Sequence, residues 1–101
     1  MSSMSSKYAF YRGDVLLGDI SPTHSDFPWQ YGDFEPTGDF QSVAKLFEKE
    51  LAVLESSKGS GDWDAIYDAI SNPGLRLEPY GPGERINNPL IHIQGGKAWW
   101  R

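Results

Sequence analysis

Asp19, His24 and Asp26 are the residues best equipped for chemistry, set in Asp19-Ile20-Ser21-Pro22-Thr23-His24-Ser25-Asp26-Phe27-Pro28-Trp29-Gln30-Tyr31-Gly32 among three hydroxyls and three large rings. An imidazole oriented by a carboxylate can act as a base toward a hydroxyl or a water. The same donors, with His92 joining from far along the chain, suit a divalent cation. The spacing argues against both uses. Neighbours in an extended segment point in different directions, no histidine pair stands at helical i, i+4 spacing, and no Gly-x-Ser-x-Gly context exposes a serine. On loops Asp26 and Ser25 more often hold a turn through their own backbone. Catalytic residues therefore stay unassigned, and neither a metal site nor a cofactor is expected.

The aromatic residues offer the alternative. Between Gly13 and Ala44 the chain has Asp14, Asp19, Asp26, Asp33, Glu35 and Asp39, the rings Phe27, Trp29, Tyr31, Phe34 and Phe40, and no lysine or arginine. Such a segment is too polar for a core strand and too aromatic for a linker, so it predicts an ordered surface loop, where binding residues concentrate. Large rings that stay partly exposed anchor interfaces. His24, Asp26, Phe27, Trp29, Tyr31 and Asp33 thus form the expected contact surface, with His92 and Trp99 as a second patch if their side of the sheet is open.

The elements that would position these residues follow from periodicity. Tyr8 to Arg12 and Val15 to Ile20 are β-rich runs around Gly13-Asp14, a two-residue hairpin signal. Uninterrupted pairing sets Phe10 opposite Leu17 and Lys7 opposite Ile20. A third strand is expected from Gln30 to Glu35. From Asp39, a candidate cap, Phe40, Val43, Ala44, Phe47, Leu51 and Leu54 trace an amphipathic helix. Lys58-Gly59-Ser60-Gly61 breaks it, and Asp62 opens a second helix carrying Trp63, Ile66, Tyr67 and Ile70, stopped by Asn72-Pro73-Gly74. Leu75 to Glu78 alternates like a half-buried strand. Leu90 to Gln94 and Lys97 to Trp100 flank Gly95-Gly96, a second hairpin whose register pairs Ile91 with Trp100, Ile93 with Ala98 and His92 with Trp99. The order is βββ-αα-βββ. Strands and helices are segregated, which predicts an α+β fold with an antiparallel sheet, two helices on one face and the aromatic loop over the other.

Composition narrows the function classes. A chain of 101 residues is read as one domain over residues 7–101 behind a disordered polar tail, 1–6. Without cysteine there is no disulfide or thiolate chemistry. No signal peptide or membrane-length apolar run is visible, so a cytoplasmic location is expected. The net charge of -5 opposes general nucleic-acid binding. The charge is uneven, with residues 1–74 at -7 and 75–101 at +2, which suits a cationic partner. Gly81-Pro82-Gly83 lacks the Gly-Lys-Ser/Thr ending of a phosphate loop, and no dinucleotide motif is present.

Leu17-Gly18-Asp19-Ile20, Phe27-Pro28-Trp29 with Gly32-x-Phe34, the helix from Phe40 to Glu55, and Ile91-His92-Ile93 with Gly95-Gly96-Lys97-Ala98-Trp99-Trp100-Arg101 resemble a family of small bacterial proteins. In that family a Pro-Trp segment precedes an amphipathic helix and a glycine-turn hairpin closes the chain. Here Phe27 replaces a methionine before Pro28, and the closing turn is less acidic. The resemblance implies a bacterial cytosolic domain and carries over no catalytic residue.

The expected function is a non-catalytic binding module contacting a protein or small molecule through the acidic-aromatic loop, whose charge suits a basic partner. An immunity-type inhibitor of a basic toxin is one form of it. The rival is a small enzyme using Asp19, His24 and Asp26. A third reading is a monomer or weak homodimer that pairs through the edge of the terminal hairpin.

Overall fold

The computed structural model describes residues 7–56, 60–72 and 74–101. The expected tail, the Lys58-Gly59 break and Pro73 lie outside the described residues. Strand β1 (Tyr8–Arg12) turns through Gly13 (φ 62°) into β2 (Val15–Asp26). Arg12 faces Val15 and Tyr11 faces Leu16, as the spacing predicts. A bulge between Phe10 and Tyr11 then slips the register, so that Phe10 meets Gly18 and Tyr8, rather than Lys7, meets Ile20. The slip brings Phe10, Leu17 and Ile20 together in the core. Gly18 makes the close approach possible: a Cβ there would lie 2.5 Å from both the Glu35 carbonyl oxygen and the Phe34 ring.

The aromatic segment is not a loop. β2 continues to Asp26, and β3 (Trp29–Pro36) returns after the two-residue turn Phe27-Pro28, whose peptide bond is cis. Proline within a strand signals a loop, because it cannot donate to the ladder. Pro22 is accommodated where the pairing shifts between Pro22 and His24, the kind of bulge at which strands tolerate it. The outer end of this hairpin is polar because it projects beyond the core: residues 23–28 are all exposed. It extends the sheet and does not fold over its second face.

After a 3₁₀ turn (Gly38–Phe40) come α1 (Gln41–Ser56) and α2 (Ser60–Ser71), then β4 (Leu75–Pro79), β5 (Ile86–Asn87), β6 (Ile91–Gln94) and β7 (Lys97–Trp100). All seven strands form one antiparallel sheet in the order β5-β4-β1-β2-β3-β7-β6. The fold is α+β, with β5 an addition to the expected order. Asp39 falls inside the 3₁₀ turn and does not cap α1, and α2 begins before Asp62. On α1, Val43, Phe47 and Leu51 are buried as the stripe requires, whereas Leu54 at its end is 46% exposed.

The sheet curls. Tyr8 of β1 and Trp100 of β7 meet edge to face at 6.2 Å, although β2 and β3 lie between them and a flat sheet would separate the two strands by about 14 Å. Phe10, Phe34, Phe40 and Phe47 fill the concave side with ring contacts of 4.9 to 6.4 Å. α2 is fixed at both ends of the curl. Arg12 donates from Nε to the Ile70 carbonyl (2.8 Å) and from its guanidinium to the Ala69 carbonyl (2.9 Å), capping the negative helix terminus. At the other end the Tyr67 hydroxyl accepts from the Ile91 amide (2.9 Å) and donates to the Pro89 carbonyl (3.2 Å). Tyr67 thereby satisfies backbone groups of β6, the edge strand. Within the terminal hairpin β7 is interior to the sheet and β6 forms the edge, with Tyr67 of α2 bonded at its start. Among the described residues no helix is long and apolar enough to cross a membrane.

Candidate functional site

Registry across four strands builds one row of rings. His24 of β2 faces Tyr31 of β3, Tyr31 faces Trp99 of β7, and Trp99 faces His92 of β6. Side chains alternate along a strand, so these four share the face opposite Gly32, Ala98, Ile91 and Ile93. His24 stacks flat on Tyr31 at 4.6 Å with 1° between planes. At the inner end the His92 ring lies 5.5 Å from Trp99 and 5.6 Å from Trp29. The residues of the two patches expected from the sequence therefore lie in one row across the sheet.

Of the expected second patch, Trp99 is partly exposed and His92 is buried. It is 4% exposed because α1 meets β6 at the sheet edge and sets the fully buried Glu50 against it. His92 Nδ1 lies 3.0 Å from Glu50 Oε1 and 2.9 Å from Oε2. Trp63 of α2 donates its indole N–H to Glu50 Oε2 at 2.7 Å. With the carboxylate ionised, Nδ1 is the donor of this contact; with the carboxylic acid, Nδ1 can accept. Nε2, across the ring, has no partner among the described residues. Trp63 in turn stacks on Tyr67 at 5.1 Å. The Tyr67 phenol is pushed up to about 12, mainly by burial; its bond at Ile91 pulls the other way and the charge of Glu50 raises it further.

Beside this hydrogen-bonded triad lies an open cleft of about 570 Å³. Trp29, Tyr31, Trp99 and Leu90 form one wall, Leu51, Leu54, Glu55 and Trp63 the other, and His92 lines it between them. Arg101 completes the rim. Its backbone pairs with Leu90 (3.0 and 3.1 Å) and its guanidinium sits 5.0 Å from the centre of the Trp29 ring, a cation–π contact. A smaller groove of about 340 Å³ borders the opposite flank of α1, between Phe40, Ala44 and the β6–β7 turn, and contains no histidine or cation.

The remaining expected residues are placed differently. Asp26 and Phe27 stand at the hairpin tip, and Phe27 is 93% exposed. Asp33 pairs with Lys97 at 2.5 Å on the exposed face. Asp19 accepts from the Tyr80 hydroxyl, a bond that pushes the Tyr80 phenol up to about 12. Five residues of extended strand, roughly 15 Å, separate Asp19 from His24, and His24 Nδ1 is engaged by the Thr23 hydroxyl at 3.0 Å. The Asp19, His24 and Asp26 constellation does not converge, and no group of three or more metal-ligating side chains exists among the described residues.

Glu50, Trp63 and Arg101 were not among the expected site residues. A signal for Glu50 exists: it stands seven residues after Val43 and four before Leu54, a stripe position where an apolar residue is expected. Trp63 reads as a core residue of its helix, and nothing local marks Arg101.

No protein-family model, curated protein or solved structure matches the chain, so the family resemblance rests on its motifs alone.

Proposed function

We propose that the protein is a binding module, and that its contact surface is the ring row from His24 to His92 together with the cleft into which the row leads. The observation that carries this reading is the convergence of Trp29, Trp63, Trp99 and Arg101 on one concave site whose floor holds a buried, half-satisfied imidazole. Clefts of a few hundred cubic ångströms with apolar walls and a few fixed polar groups are the usual form of small-molecule sites. Nucleophilic catalysis is less well supported, because the described lining offers no serine, threonine or cysteine beside His92. The acidic hairpin, with Asp26 and Phe27 at its exposed tip, extends this surface away from the cleft.

The test is a fragment screen followed by ¹H–¹⁵N correlation spectra. Hits are expected to shift the indole N–H signals of Trp29 and Trp99 and the His92 ring, and to lose affinity in a folded Trp99→Phe variant. Hits that gather elsewhere and bind the variant equally well would remove the cleft from the function.

A further inference from the structure

Resting on the binding reading above, we propose that the cleft takes a neutral, hydroxyl-rich ring, a mono- or disaccharide, stacked on Trp29 and Trp99 with a hydroxyl on His92 Nε2. Three observations narrow the ligand class. The first is the floor. Nε2 belongs to a side chain that is only 5% exposed, and its opposite nitrogen is committed to Glu50. A buried polar atom without a partner costs free energy, which a ligand can recover by supplying one. A hydroxyl both donates and accepts, so it satisfies Nε2 whether the ring is neutral or charged.

The second observation is the walls. Trp29 and Trp99 flank the imidazole at nearly equal ring distances, 5.6 and 5.5 Å, and both are only partly buried. Neither indole N–H has a hydrogen-bond partner among the described residues. The C–H face of a pyranose fits a flat ring, while the hydroxyls at its edge reach outward to such donors.

The third observation is charge. The rim carries one guanidinium, Arg101, and one carboxylate, Glu55, and neither makes an ion pair among the described residues. An organic anion would meet Arg101 but bring its charge toward Glu55 and the buried Glu50. An organic cation would bring its charge toward the like charge of Arg101, 5.0 Å from the centre of the Trp29 ring. A neutral polyol accepts from the guanidinium and donates to the carboxylate together, and brings no charge of its own into the cleft.

The experiment titrates the full chain with glucose, galactose, mannose, N-acetylglucosamine and their β-1,4-linked dimers. Benzoate and choline serve as the anionic and cationic probes. Binding is followed by indole and imidazole chemical shifts and by tryptophan fluorescence. At least one saccharide is expected to give saturable shifts at Trp29, Trp99 and His92. Trp29→Leu, a change at the partly exposed wall that leaves the hydrogen-bonded triad intact, should weaken it at least tenfold. Saturation by benzoate or choline with no response to any saccharide would overturn the sugar assignment and leave the binding reading standing. Failure of every probe to perturb the cleft of a protein shown by its spectrum to be folded would overturn both.

Discussion

Glu50 and His92 lie 42 residues apart in the chain and form a buried carboxylate–imidazole contact of 2.9 to 3.0 Å, with the Trp63 indole as a third member. Removing one partner of such a pair strands the other in a medium that cannot solvate it. His92→Ala is expected to cost about 3 kcal/mol in urea unfolding. The double variant Glu50→Leu, His92→Leu should cost clearly less than the sum of Glu50→Leu and His92→Leu measured singly, because neither the carboxylate nor the imidazole is left facing an apolar partner; the Trp63 N–H loses its acceptor with or without His92 and so cancels from the coupling. Strictly additive losses would show that the contact carries no coupling energy.

The α1 stripe predicts a contrast between two neighbours. Phe47 is 1% exposed and packs its ring against Phe10 and Phe40, whereas Lys49 is exposed. Phe47→Ala should cost about 3–5 kcal/mol through lost burial and the cavity left behind, comparable with the whole stability of a small domain. Lys49→Ala should stay within about 0.5 kcal/mol. Thermal melts distinguish the two, and equal melting temperatures would refute the packing of this helix.

Glycine at 18 is a steric requirement. A methyl group there meets the Glu35 carbonyl oxygen and the Phe34 ring at 2.5 Å, and backbone cannot give way as a flexible side chain can. Gly18→Ala is expected to destabilise by about 1–3 kcal/mol. Gly38→Ala, which meets nothing within 4 Å, is the matched control and should be neutral or slightly stabilising. Urea midpoints of the two variants measure the difference.

Tyr67 links stability to alkaline pH. Its phenol is raised from 10.0 to about 12 in the folded protein, chiefly by burial. Between those values the unfolded chain has released the proton and the folded one keeps it, so the unfolded state binds fewer protons and stability falls as pH rises. The contribution is complete below pH 10 and is lost as pH climbs through about 12. Tyr80, raised to about 12 by its bond to Asp19, acts in the same direction, so the comparison belongs in a Tyr80→Phe background. There, Tyr67→Phe should flatten the decline between pH 10 and 12. It should also cost about 1 kcal/mol at neutral pH by releasing the β6 amide of Ile91. An unchanged alkaline slope would show that Tyr67 does not supply the titration.

Periodicity alone determined the segregated α+β plan, both glycine-turn hairpins, the buried face of α1 through Phe47, and the pairing of His92 with Trp99. Helical and β repeats are local consequences of backbone geometry, so adjacent residues suffice to reveal them. The hairpin from His24 to Tyr31 reads as a loop by residue type, because Pro22 and Pro28 look like breakers until a bulge and a turn accommodate them. What only the tertiary structure decided is the site. The register slip at Phe10, the curl that brings Tyr8 to Trp100, and the seating of β7 between β3 and β6 place Trp29, Trp63, Trp99 and Arg101 around one cleft. The union of Glu50 with His92 belongs to the same level. A carboxylate on a helical stripe is tolerated only where a distant donor meets it, and the position of that donor depends on strand order, which no local pattern encodes.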